Sequence, residues 1–349
     1  MNFKNCALAI IVICAMAACK KHENPGPKTP KTTDVYVVGS GRVSIINNTS
    51  VAVYWKNGVI TKLADTLSSS SANGIAISGN DVYIVGYTST SYSKYWATLW
   101  KNGVATRLTD SAVSSIADKI IIKGTDIYIT GTIVNSASQI IATYWKNGVA
   151  ANLTDGTPNT RETAFAVNGT DVYVAGETLT AGNKFIPICW KNGVVSNFIG
   201  STTGSWASAI AVKGSDVYVA GSAPGFFGDN VAMYWKNGVA VELPVDSLLS
   251  QADAIALNGT DVYVTGFRAD FGGYGSSAYY WKNGVAKQLT DHASAGNIIV
   301  NGDDVYIVGS SGDFDIFQAM YWKNGVAFLL PGFESTGYSL GLDIAILQH

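Results

Sequence analysis

Tyr54-Trp55-Lys56-Asn57-Gly58-Val59 decides the fold, because its core returns at six further places. Trp-Lys-Asn-Gly-Val starts at Trp55, Trp100, Trp145, Trp190, Trp235, Trp281 and Trp322, in steps of 45, 45, 45, 45, 46 and 41 residues. Self-similarity at this period marks an array of one supersecondary unit, each too small to bury its own apolar faces. Asn-Gly between two apolar runs is the signal of a type I′ hairpin turn, whose central residues both need positive φ.

A second element recurs as regularly. Asp-(Val/Ile)-Tyr begins at Asp34, Asp81, Asp126, Asp171, Asp216, Asp261 and Asp304, each with Gly five residues on. Neighbouring strand residues point to opposite faces, so two large apolar residues in a row, such as Val172 and Tyr173, leave neither face to water. One repeat, Thr163 to Phe198, reads as four short strands with no helical periodicity. Small sheets covered on both faces and repeated in this way are propeller blades. The first repeat starts at Asp34 without an Ala-x-Ala-Ile strand, and Gly341 to Leu347 resembles that missing strand. The expected fold is therefore all-β: a seven-bladed β-propeller of four-stranded antiparallel blades, one of them closed by the C-terminal strand joining the N-terminal strands.

Composition agrees. Of the 349 residues, 47% are apolar, 14% are charged and 37 are Gly, which suits buried sheets with tight turns and excludes disorder. A formal net charge of −2 supplies no field for nucleic acid. Lys4, the apolar stretch Ala7 to Ala17, and Ala17-Ala18 before Cys19 read as an export signal with a lipid-modified cysteine. The expected organisation is residues 1–18 as lipoprotein signal peptide, 19–33 as a polar, proline-rich flexible tether, and 34–349 as the propeller. The membrane is then reached only through the lipid on Cys19, and the location is the bacterial cell envelope, at the outer membrane. Cys189 stands in a hydrophobic slot that is Tyr in five other repeats, which makes it a packing residue.

Ala207-Ser208-Ala209-Ile210, Val219-Ala220-Gly221 and Trp235-Lys236-Asn237-Gly238 through Leu243 resemble the HAF-type repeat of bacterial extracellular proteins, over roughly residues 34–348. Asp-Val-Tyr, and the Tyr or Leu before Trp, depart from that pattern. The resemblance implies a propeller and an extracellular, Bacteroidetes-like lipoprotein; it implies no common activity.

Function is sought where the repeats disagree. The turns after the first strand and the Asn-Gly turns share one face of the disc. The loops between second and third strands, with the blade connections, form the other, and variable loops on a rigid scaffold are where binding sits. The seven Trp and seven Tyr are expected to pack between blades. The seven Asp are expected to accept backbone N–H groups of the preceding turn. Candidate ligand-binding residues are those that break the pattern: Trp206; Tyr92 and Trp96 in one loop; Phe226 and Phe227 in another; Arg268, Phe271 and Tyr274 in a third; and Arg161 and Glu177 beside them. Aromatics with Arg are what a sugar- or peptide-binding face uses. A second set, Asn73, Asp118, Thr163, Ser208 and Asp253, opens the first strands and is placed at the channel mouth. His22, His292 and His349 are the only histidines, no catalytic triad or metal motif surrounds them, and no cofactor is called for. Expected partners are a glycan or an envelope protein, not nucleic acid, and the chain is expected to be a monomer. Carboxylates of the variable face, Glu177 and Asp253 among them, leave a polysaccharide hydrolase or lyase as the alternative.

Overall fold

The structure is a computed structural model that describes residues 32–44, 49–64, 69–91, 94–110, 113–154, 160–180, 185–196, 204–225, 229–245, 249–269, 275–313, 316–333 and 336–349. The expected signal peptide, Cys19 and nearly all of the tether lie outside these residues.

Twenty-eight strands form seven four-stranded antiparallel sheets, and the described residues contain no helix. In the second blade the strands are Ser70–Ser78, Asp81–Ser91, Lys94–Lys101 and Val104–Arg107, from the axis outward. The first blade takes its inner strand, Ser339–Gln348, from the far end of the chain and pairs it with Thr33–Ser44. The inner strands touch one another around a closed ring. The propeller is thus the expected one, with its first strand starting at Thr33.

Each Trp of the repeat is 0–2% exposed. It belongs to a cluster made of its own blade and the blade before it, as Trp145 packs on Val85 and Ala97, and Trp55 on Tyr306 and Val308 across the closing seam. Seven seams are therefore filled by seven indoles. In all seven Asn-Gly turns both residues have positive φ, for example 51° at Asn102 and 83° at Gly103, as a type I′ turn requires.

The seven Asp do not cap the preceding turn. Each instead accepts from the hairpin beside it: at Asp81, Oδ1 takes the Asn102 Nδ2 bond at 2.8 Å and Oδ2 lies 2.8 Å from Lys101 Nζ. Asn102 Oδ1 in turn accepts the Val82 N–H at 2.9 Å, and the Lys101 ammonium sits 5.0 Å over the Tyr83 ring. The first blade repeats this with Asp34, Asn57 and Lys56, and so do the other five. Asn57 and Lys56 hold the Asp34 carboxyl down at about 2.

Two further devices fix the blades. The outer strands are short, so in several blades a third-strand N–H runs out of backbone partners and a buried serine of the next blade supplies one. Ala52 N donates to Ser70 Oγ, Ala97 N to Ser115 Oγ and Ala232 N to Ser250 Oγ, each at 2.9 Å. In six blades the glycine five residues after the Asp is required by close approach: a Cβ on Gly131 would stand 2.0 Å from the Ile116 carbonyl oxygen, and one on Gly221 1.8 Å from that of Trp206.

Candidate functional site

That close approach has a cause in the inner strands, all of which carry a β-bulge. In five blades the register slips across one residue: Asn73, Asp118, Thr163, Ser208 or Asp253. These are the five residues expected at the channel mouth. They do not open their strands, which start two or more residues earlier, at Ser70, Ser114, Thr160, Trp206 and Ser250. They are the extra residues of the bulges. A bulge leaves its residue out of the ladder and re-aims the side chain, here toward the axis.

The consequence is a polar ring round an axial cavity of about 430 Å³, lined by every inner strand. Apolar Ile75, Ile120, Ile210, Ile255 and Ile344 share this wall with Lys119, Ser208, Asp253, Asn297 and Asp343. A smaller cavity of about 320 Å³ joins Asn73, Asp118, Lys119, Thr163 and Leu342. Asn73 Nδ2 donates to the Ala117 carbonyl at 3.0 Å and reaches Asp118 Oδ1 at 3.4 Å, so the ring is bonded from blade to blade.

Asp343 and Asn297 belong to this ring and were missed. In their strands the polar residue stands one place after the usual position: Leu342 is the bulge residue of the first blade, and Gly296 with Asn297 makes that of the seventh. Asp343 is 4% exposed and joins three blades. Its carboxylate accepts Ile344 N at 2.8 Å, Ile75 N at 3.1 Å, and the Asn297 side-chain amide. Aligning the C-terminal strand with the other six would have revealed it.

The two sets of candidate residues meet at one place on the variable face. Glu177 of the fourth blade, Trp206 and Ser208 of the fifth, and Gln251 and Asp253 of the sixth line a cavity of about 460 Å³, with Thr163 beside them. Trp206 is half-buried and opens its inner strand, whereas Glu177 is 2% exposed and follows Gly176 in its blade's second strand. Arg161 stands opposite Glu177 in strand register. Gln251 Nε2 donates to Asp253 Oδ1 at 2.7 Å. Burial pushes the Asp253 carboxyl up to about 7, a rise that the Gln251 bond opposes but does not cancel. The pocket thus sets a flat aromatic wall against two hydroxyls, a carboxamide and two carboxyls, one of which keeps its proton close to neutrality.

Other candidates fall elsewhere. Trp96 is not in a loop; it lies within Lys94–Lys101, 7% exposed, with the Arg107 guanidinium 4.2 Å over its ring. Arg268 is in the strand Asp261–Ala269, 5.6 Å over the Tyr279 ring. Neither lines the Trp206 pocket. Tyr92, Phe226, Phe227, Phe271 and Tyr274 lie outside the described residues. Cys189 is buried, its thiol pushed up to about 12 by burial, and packs in the seam under Trp235. Among the described residues, no group of three or more His, Cys, Asp and Glu is arranged to hold a metal ion.

No protein-family model and no curated protein matches the sequence. Solved structures do match in shape. A puromycin-hydrolysing peptidase from Mycobacterium tuberculosis superposes with a TM-score of 0.52 at 12% identity, over 85% of this chain and 51% of that one. An acylaminoacyl peptidase from Pyrococcus horikoshii gives 0.52 at 10% identity, over 88% and 52%. TolB from Acinetobacter baumannii gives 0.50 at 9% identity, over 89% and 66%. The chain spans about half the length of the two peptidases, and at these identities the shared property is the β-propeller itself.

Proposed function

We propose that the protein is an envelope lipoprotein that binds a glycan or protein partner through its variable face without turning it over. The observation that carries this reading is the pocket at the junction of the fourth, fifth and sixth blades, where Trp206 faces Glu177 and Asp253. The seven tryptophans of the repeat are each consumed in a seam, while Trp206 breaks the repeat and borders an open cavity. A rigid ring that presents one irregular pocket suits capture. In the same reading the propeller is a monomer, akin to HAF-type repeat proteins and tethered through lipid on Cys19. Palmitate labelling that Cys19→Ala abolishes is the expected result for the anchor. Glycan-array and pull-down binding by the wild type, lost in Trp206→Ala at unchanged fold, is the expected result for the pocket; full binding by that variant sinks it.

One observation favours the second reading, a hydrolase or lyase acting on polysaccharide. Asp253 keeps its proton close to neutrality and shares its pocket with the carboxyl of Glu177, and glycoside cleavage uses two carboxyls in different protonation states. Release of reducing ends that Glu177→Gln and Asp253→Asn each abolish would establish turnover and displace the binding reading.

A further inference from the structure

The hairpins of the uniform face leave one apolar residue uncovered in every blade. The valine after each Asn-Gly turn, from Val59 in the first blade to Val326 in the seventh, is 61–73% exposed. It opens an outer strand, which has no further strand beside it. All seven occupy the same repeat position in a closed ring, so they stand at one height round the rim of that face. Charge inside the rim is folded back. Each repeat lysine is bonded to its Asp at 2.8–3.2 Å and lies 5.0–5.2 Å over its Tyr ring. Seven balanced pairs neither draw nor repel the anionic headgroups of a membrane.

The route of the chain into the propeller says what this rim meets. Thr32 O accepts the His349 N–H at 2.9 Å, His349 Nε2 lies 3.3 Å from Asp34 Oδ2, and Thr33 opens its strand. The entry is thus pinned to the uniform face, between the inner and third strands of the first blade. Cys19 stands thirteen residues before Thr32, a separation that spans at most about 45 Å. With lipid on Cys19, turning the variable face to the bilayer would route this segment outward past two strands, about 10 Å, and then along the height of a nine-residue strand, about 30 Å. That takes almost its whole reach. Laying the uniform face on the bilayer takes almost none.

We propose that the uniform face lies against the lipid bilayer, its ring of valines among the headgroups, so that the variable face points away from the membrane. The inference rests on the lipid anchor at Cys19 proposed above and adds its orientation. Each valine is a weak contact. A rigid ring presents seven together, and a chain already held in the membrane makes them intramolecular, at high effective concentration. A partner is then met from the aqueous side.

The test uses the full acylated chain in vesicles of phosphatidylethanolamine and phosphatidylglycerol that carry a rhodamine-labelled headgroup. A donor dye goes on Val104→Cys, at the rim, or on Ala137→Cys, in the exposed loop between Asp126–Val134 and Ile140–Lys146. Cys189 is buried and does not compete for the dye. Energy transfer should be at least about twofold greater from Val104→Cys, since the two sites are separated by the height of a strand, about 30 Å. Equal transfer, or more from Ala137→Cys, in protein that is bound to the vesicles overturns the orientation and leaves the anchor standing. No palmitate labelling and no vesicle binding overturns the anchor, and the orientation with it. Val149→Asp, Val194→Asp and Val239→Asp together, at sites 69–72% exposed, should bring the two signals together while thermal melts show the fold unchanged. An undiminished difference in that variant overturns the valine contact. Self-quenching of the Val104→Cys dye that grows with protein concentration without lipid assigns the rim to a second copy instead.

Discussion

The two faces of the disc differ in what repetition has done to them. On the uniform face the same Asp, Asn, Lys and Tyr meet seven times within a few tenths of an ångström, each Asp bonded by both the Asn and the Lys of its hairpin. On the variable face the bulge residue is Asn73, Asp118, Thr163, Ser208, Asp253, Gly296 or Leu342, and one of these carries a carboxyl that burial holds at about 7. Carboxyls shifted this far by burial cluster at functional sites. The bulge makes this compatible with the ring: it turns side chains to the axis, while glycine beneath it absorbs the displaced carbonyl.

The strongest way to break the comparison is to attack the parts both faces depend on. Gly131→Ala would drive a Cβ to 2.0 Å from the Ile116 oxygen, a backbone atom that moves only with its strand. Trp145→Ala would empty a seam. Each is expected to lower unfolding free energy by about 3–5 kcal/mol in urea titration. Gly148→Ala is the matched control. It has nothing within 4 Å and a φ of 82°, so the loss is the left-handed strain alone, about 1 kcal/mol.

Asp253→Asn tests the opposite expectation, since it should stabilise. The folded carboxyl at about 7 lies above its unfolded value, so the folded state holds a proton that the unfolded state loses. Stability therefore falls as pH rises from 4 to 7 and stays low above. At pH 8 the variant should gain up to about 4 kcal/mol, less whatever channel water screens. Its advantage should vanish below pH 4. Thermal melts across pH 4–8 measure it.

Much of this was legible in sequence, for a physical reason. The Asn-Gly turns, the indole slots and the split blade depend on local pattern and count, which sequence carries directly. The bulges depend on register between two strands, so the five axial residues were legible as a polar set but were assigned to strand openings. Trp96 read as a loop aromatic because Lys94–Lys101 begins earlier than its apolar core suggests. The convergence of Glu177, Trp206 and Asp253 was not legible, since each sits on a different blade and only the radius of the ring brings them together. The serine clip could have been read in part: a hydroxyl residue recurs every 45 positions from Ser70 to Ser250, but at Ser205 the position it would serve is Pro187, which has no N–H, and the Ser205 hydroxyl is left without a partner. Ser250→Ala would strand the buried Ala232 N–H and should cost about 1–3 kcal/mol, readable as a lower urea midpoint at unchanged slope.

The smallest expected effect falls on the most conspicuous motif. Asp34 pairs with Lys56 at 2.9 Å, yet the lysine side chain is 48% exposed, and such pairs add little in water. Its carboxyl is held at about 2, first by Asn57 and then by Lys56, so the stabilisation is present above pH 4 and is lost as pH falls through 2. Asp34→Asn should therefore melt slightly below the wild type at neutral pH, converge with it near pH 2, and show a smaller difference in high salt. That acid-side slope is opposite in sign to the one expected of Asp253. If both carboxyls proved to stabilise the fold on ionising, the variable face would be one more piece of scaffold, and the case for a pocket set apart from the ring's architecture would fail.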